Sequence, residues 1–317
     1  MLDSVFYIVL NMSISACFVI AVLLLIRMIR PLPKRLVYPL WVLAFFRLVV
    51  PFSFPTSWSL FNYTGDLVKR VITIETIHQG IVEVPFLGYP QGMNYVGAVE
   101  EYAPFAFEYK TETLRQVFTT AAMIWAIVAM ALLLTAIILY LLTHRELKKA
   151  THIQDNLYRS DMLLSPVLTG VFRPKIILPA SLEVDSPECQ MVLAHENVHK
   201  RRLDNLWRLF AIAITCTHWF NPLAWIMLKS FFTDMELSCD EVATRKYSQE
   251  ERKTYAGVLL QFAEDKRLLV STAFGRSGVK VRIVNVLNYR KLTLIGAVAS
   301  LLFLLVVAMV FITNPQL

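Results

Sequence analysis

Charge is scarce in this 317-residue chain: Asp, Glu, Lys and Arg make up 17% of it, against roughly 25% in an ordinary soluble domain. The shortfall argues against an average enzyme surrounded by water. Glycine is equally thin, at 10 residues. With a mean hydropathy of +0.53, this excludes a collagen-like, low-complexity or disordered chain, because such compositions lack the apolar surface that offsets ordering entropy. The four cysteines, Cys17, Cys189, Cys216 and Cys239, form no CxxC pair and no short framework. They read as buried free thiols, not as a disulfide scaffold or a thiolate zinc site. A net charge of +7 would point to nucleic acid only if a basic face on a soluble fold carried it. Its distribution along the chain gives another account.

What the chain has in abundance is apolar sequence, 56% of the total, gathered into long uncharged runs. A run of about 18 or more such residues is long enough to cross the hydrocarbon layer as a helix. Residues 5–26, 117–143 and 292–314 pass without interruption. Residues 36–58 contain Arg47 and Pro39, Pro51 and Pro55, and read as a fourth span with a polar contact inside the bundle. The link after the first run carries Arg27, Arg30, Lys34 and Arg35 with no acidic residue, so the positive-inside rule places it in the cytoplasm. Residues 59–116 hold four basic residues against seven acidic ones and read as an ordered extracellular loop. Residues 144–291 hold 22 of the 31 basic residues and 16 of the 24 acidic ones, which places them inside beside anionic lipid. Both termini then face outward. The expected layout is a transmembrane hairpin at 1–58, the outer loop, a third span, a cytoplasmic domain at 144–291 and a fourth span.

Within the inner section, residues 195–199 read His195-Glu196-Asn197-Val198-His199, an HExxH motif. Residues four apart share a helical face, so both imidazoles reach one zinc ion while Glu196, one step round, is placed as the base. Accidental matches in a chain of this composition number on the order of 0.005. A surface helix with solvated charges is the bland alternative. The metzincin continuation needs Gly at 202 and His at 205, where the chain has Arg202 and Asn205, so that class is excluded. Downstream, Glu236 and Asp240 form an ExxxD pair. Glu236 is the natural third ligand, and Asp240 is spaced to hold a ligating histidine.

Between the two motifs, residues 209–228 carry no formal charge and are divided by Asn221-Pro222. Proline breaks the helical ladder, which predicts a helical hairpin buried in protein or dipping into lipid, each half too short to span. His218 in this stretch is a candidate oxyanion or substrate contact, or else a satisfied core histidine. Residues 165–179 read as two extended pieces around Thr169-Gly170, with Pro174 and Pro179 suiting an edge strand. Such an edge could pair with an extended peptide substrate, or simply cover the core. Residues 250–269 read as a solvated helix packed on one side.

Taken together, SPVLTGVFRPKIILP at 165–179, HENVHKRRLDN at 195–205, HWFNPLAWIMLK at 218–229, DMELSCDE at 234–241 and TAFGRSGVKVRI at 272–283 resemble the BlaR/MecR-type family of membrane zinc peptidases. These are antirepressor proteases that transduce β-lactam signals in Gram-positive bacteria. The resemblance implies a mainly α membrane protein with four transmembrane helices and a cytoplasmic α+β zincin-like (gluzincin) metallopeptidase domain between spans 3 and 4. It implies one zinc ion per chain on His195, His199 and Glu236, with Glu196 as catalytic acid/base. The implied partners are the bilayer and a protein or peptide substrate, a winged-helix repressor or the chain itself, with no direct contact to nucleic acid; a homodimer stays open. Family members that sense β-lactams carry a penicillin-binding domain after the fourth span, whereas this sequence ends at Leu317, so β-lactam recognition is not implied. Membrane-protein quality control and a non-proteolytic scaffold with structural zinc are the competing readings.

Overall fold

Apolar run length decides the two longest helices, α1 (Leu2–Met28) and α4 (Glu112–Leu147). The computed structural model describes residues 2–29, 32–51, 112–262 and 278–289, with isolated helical residues between 296 and 306. Within α1 and α4, Val5–Met28 and Gln116–Leu147 are long and apolar enough to cross a membrane. Half of the apolar window of α1 is buried against the protein, but only 11% of that of α4. Ile127, Met130, Leu134 and Leu141 on α4 are each more than half exposed, and an apolar face of this extent calls for a surrounding other than water.

The segment expected as a span at 36–58 is helical over its described part, in three pieces. A short helix α2 (Lys34–Val37) passes through a 3-10 turn (Tyr38–Leu40) containing Pro39 into α3 (Trp41–Val49). The helix stops where Val50 turns extended, the conformation that the following Pro51 imposes. From Lys34 to Val49 the backbone rises roughly 24 Å, short of the roughly 30 Å hydrocarbon layer. Nearly all of the rest of that expected span, of the expected span at 292–314 and of the expected outer loop lies outside the described residues.

The inner section opens with a four-stranded sheet in the order β1-β2-β4-β3, formed by β1 (Thr151–Gln154), β2 (Leu157–Ser160), β3 (Val167–Thr169) and β4 (Lys175–Pro179). The predicted turn at Thr169-Gly170 joins β3 to β4 as an antiparallel pair. The edge-strand expectation holds for β3 alone: β4 lies inside, also parallel to β2. Pro174 precedes β4 and Pro179 closes it, so neither removes a donor from the middle of the ladder.

Among the described residues five helices follow: α5 (Pro187–Arg202), α6 (Asp204–Thr217), α7 (Pro222–Ala243), α8 (Gln249–Gln261) and α9 (Val279–Leu287). Ser186 caps α5 by accepting from Cys189 N, with Pro187 at its first turn. The hairpin predicted around Asn221-Pro222 is α6 and the start of α7; Asn221 Oδ1 accepts from Leu223 N and its Nδ2 donates to Ser13 Oγ on α1. α7 is longer than half a hairpin, running unbroken from that turn through Glu236 and Asp240. The charged segment after residue 249 is helical in α8, opened by a reciprocal Ser248–Glu251 capping box.

Two apolar cores flank the helix that carries HExxH. One joins α1, α3, α6 and α7 through Ile20, Trp41, Phe45, Met227, Phe231 and Met235, with the Phe45 ring edge-on to Phe231 at 5.0 Å. The other joins the sheet to α5 and α8 through Leu157, Ile176, Leu178, Val192 and Val258. Buried polar clasps lock the N-terminal hairpin to α7. Asp234 accepts from Arg27 Nε at 2.8 Å and Trp41 Nε1 at 3.0 Å, and the Glu241 carboxylate caps α2 by accepting from the N–H groups of Lys34 and Arg35.

Candidate metal centre

Helical spacing puts His195 and His199 on one face of α5, both buried, with their Nε2 atoms 3.1 Å apart. α7 crosses this face and brings Glu236 to them. Its Oε2 lies 3.6 Å from His195 Nε2 and its Oε1 3.6 Å from His199 Nε2. The expected ligand trio is therefore assembled around one point. Glu196 is buried at the next position of α5.

Each imidazole is held from behind by a fully buried carboxylate. Asp240 Oδ1 lies 3.1 Å from His195 Nδ1, the place expected from the ExxxD spacing. Asp204 Oδ2 lies 2.6 Å from His199 Nδ1, a contact that helical spacing does not foretell. It arises because Leu203 adopts a left-handed conformation (φ 56°), which ends α5 and turns Asp204 back under the ring. For a leucine this conformation costs roughly 1–2 kcal/mol, a cost tolerated at the site it shapes.

Four further residues complete the shell, none of them singled out by motif spacing. The Tyr255 hydroxyl donates to Asp240 Oδ1 at 2.7 Å and lies 2.9 Å from His195 Nδ1. Arg282 of α9 grips Asp240 with Nε at 2.8 Å and Nη2 at 2.7 Å, and its Nη1 lies 3.2 Å from Glu236 Oε2. Arg208 donates to Glu236 Oε1 at 2.6 Å. Tyr38, from the N-terminal hairpin, donates to Asp204 Oδ1 at 3.1 Å. The buried free thiol of Cys239 is borne out as free, yet it is not remote: its sulfur and the two imidazoles offer ligand atoms within 4.8 Å of one another, and its S–H donates to His195 O.

The hydrogen-bond partners assign the proton of both rings to Nδ1, which turns two Nε2 lone pairs toward each other across 3.1 Å. A metal ion or a shared proton between them relieves that arrangement. Burial opposes charge on His195, but Cys239, Tyr255 and Asp240 outweigh it and raise its pKa well above the ordinary range; Cys239, Glu236 and Asp204 do the same for His199. For Asp240, burial is overcome by Arg282 and His195, which hold its carboxyl at about 2. Glu236 is likewise driven well below the usual carboxylate range, against its burial, by His199 and Arg282. A buried cluster of His195, His199 and Cys239 with Glu236 beside it and both imidazoles oriented from behind fits a metal ion.

His218 lies apart from this cluster, with its Nε2 2.9 Å from Leu48 O at the end of α3 and its Nδ1 buried without a hydrogen-bond partner among the described residues. The β3 edge is also engaged, since the Asn205 amide donates to Leu168 O at 3.1 Å and Gly170 O at 3.0 Å.

The BlaR1 peptidase M56 family matches residues 7–286. The chain belongs to that family. Two proteins named Regulatory protein BlaR1 are similar to it. The one from Bacillus licheniformis is 35% identical over 168 residues, which cover 50% of this chain and 28% of that protein. The one from Staphylococcus aureus is 22% identical over 303 residues, covering 86% and 49%. The chain thus spans at most about half the length of the curated relatives it matches. The M56 match takes in every residue of the centre, from Tyr38 to Arg282.

Proposed function

We propose that this member of the M56 family is a membrane zinc metalloendopeptidase that cleaves protein substrates at the cytoplasmic face in signal transduction. The observation that carries the reading is the pair of buried imidazoles with Glu236 3.6 Å from each Nε2 and a buried carboxylate behind each ring. His195, His199 and Glu236 are the ligands. A bound zinc ion supplies Lewis-acid polarisation of the scissile carbonyl and acidifies water. Glu196, buried one step round α5 from the two imidazoles, accepts the proton of the attacking water and returns it to the leaving amine. A structural zinc site would use a fourth protein ligand and would have no role for such a base.

Exposed α4 and the basic bias of residues 144–291 support a bilayer setting with the zinc domain at 144–291 inside. The four-span layout, with spans at 5–26, 36–58, 117–143 and 292–314, both termini outside and a gluzincin domain between spans 3 and 4, is part of the same reading. The relatives' name, Regulatory protein BlaR1, favours a regulatory substrate, a transcriptional repressor or the chain itself, over bulk quality control.

The deciding experiment compares the full chain in detergent with its Glu196→Gln variant, measuring zinc by mass spectrometry and cleavage by peptide mapping. The variant is expected to keep its zinc and lose activity by about 10²–10⁴-fold. Normal cleavage by that variant would remove Glu196 from its role, and a parent free of zinc would refute the metal reading. In cells, one regulatory fragment dependent on Glu196 supports signalling, and many membrane-protein fragments support quality control.

A further inference from the structure

The ligand set is completed by side chains on α5 and α7, yet one residue from a distant helix reaches further into the centre than any other. Arg282 stands 87 residues beyond His195 in sequence, and its Nη2 lies 3.3 Å from His195 Nε2, on the side where the two imidazoles converge. Its strongest contacts are the paired bonds to Asp240 at 2.8 and 2.7 Å, with the third nitrogen on Glu236 Oε2. One guanidinium thus joins the carboxylate behind His195 to the carboxylate facing both rings.

Glu236 and Asp240 sit four residues apart on one helix face, where like charges repel. Arg282 is the cation between them, and its planar fork alone spans both, as a lysine ammonium cannot. The other end of α9 is anchored as well: Asn285 Nδ2 donates to Glu241 Oε1 at 3.3 Å, and Tyr289 just beyond accepts from Arg35 Nη1 at 3.2 Å and lies under the Arg252 guanidinium at 3.9 Å.

We propose that Arg282 is a positioning residue through which α9 sets the zinc affinity of the centre, acting on His195 through Asp240 and on Glu236 directly. The proposal rests on the zinc reading above. It predicts that displacement of α9 loosens the ligands, so that the segment leading from the zinc domain to residue 290 and beyond tunes metal retention. Linkage makes the effect reciprocal: zinc binding must steady α9 by the same free energy.

The test measures zinc affinity of the full chain in detergent by competition with a chelator, together with amide hydrogen exchange of residues 279–287 with and without zinc. Arg282→Gln is expected to weaken zinc binding by about 10–100-fold, the usual effect of a residue supporting a ligand. Arg282→Lys should recover only part of the loss, and Lys280→Gln, exposed on the same helix, should change nothing. Zinc should slow exchange in α9 of the parent and leave α9 of Arg282→Gln unaffected. If Arg282→Gln binds zinc as tightly as the parent, or more tightly, Arg282 does not position the ligands and the proposal falls while the metal reading stands. It falls equally if zinc slows α9 to the same extent in both proteins. A parent that binds no zinc would overturn both readings.

Discussion

His195 and His199 are one helical turn apart, yet they are held by different parts of the chain. Behind His199 stands Asp204, five residues on, which the N-terminal hairpin reaches through Tyr38 and to which Arg202 adds a contact at 3.4 Å. Behind His195 stands Asp240, reached by Tyr255 and Arg282 from the C-terminal side. The first support is mostly local. The second is wholly long-range and carries the guanidinium that meets both Asp240 and Glu236. The difference teaches that the two halves of one metal centre answer to opposite ends of the domain.

The sharpest way to break this asymmetry is to remove the two carboxylates in turn. Asp240→Ala leaves Arg282 buried without its main partner, and should cost about 3–5 kcal/mol in the metal-free chain, read by chemical denaturation. Asp204→Ala orphans His199 Nδ1 and the Tyr38 hydroxyl without stranding a comparable cation. It should cost about 1–3 kcal/mol and lower zinc affinity by about 10–100-fold. Equal losses from the two substitutions would erase the proposed difference. Next in size is Tyr38→Phe, expected to cost about 1 kcal/mol while keeping the stack on Phe231 at 5.3 Å; a larger loss would show that the N-terminal support outweighs the C-terminal one.

Smallest at any single pH is the titration of the metal-free chain, whose sign follows from linkage. The raised pKa values of His195 and His199 give stability that is complete below their ordinary value of 6.5 and is lost as pH rises through the higher folded values. The depressed carboxyls of Glu236 and Asp240 give stability that is complete above 4.5 and 3.8 and is lost as pH falls below them. Thermal unfolding should therefore show this contribution at its fullest between pH 4.5 and 6.5. Saturating zinc should flatten the alkaline side, since the metal replaces the protons; an unchanged alkaline slope would contradict the shared site.

Helical arithmetic made much of the centre legible beforehand. His195, Glu196, His199, Glu236 and Asp240 are all related by spacings of one or four within a helix, and proline marked the hairpin between the motifs. The remainder depends on geometry that spacing does not encode. Asp204 needs a left-handed leucine to turn it under His199, and Arg282 needs a helix far along the chain to fold back. Tyr255 lies on a helix whose sequence reads as an ordinary solvated one. In the sheet, the turn at Thr169-Gly170 announced the β3–β4 pair, but nothing local announces the parallel β2–β4 pairing that puts β4 inside. His218 was ambiguous because burial alone cannot tell a catalytic histidine from one bonded to Leu48 O.

The clasps between the N-terminal hairpin and α7 also bear on when the centre can come into being. Arg27 meets Asp234, and Lys34 meets Glu241, across 207 residues of chain, and Arg282 closes on Asp240 later still. During synthesis the HExxH helix emerges before Asp234, Glu241 and Arg282 exist. An isolated α5 holds two histidines and a glutamate with no third ligand and no guanidinium between the carboxylates. The order of translation thus withholds the complete cluster until nearly all of residues 144–291 have been made.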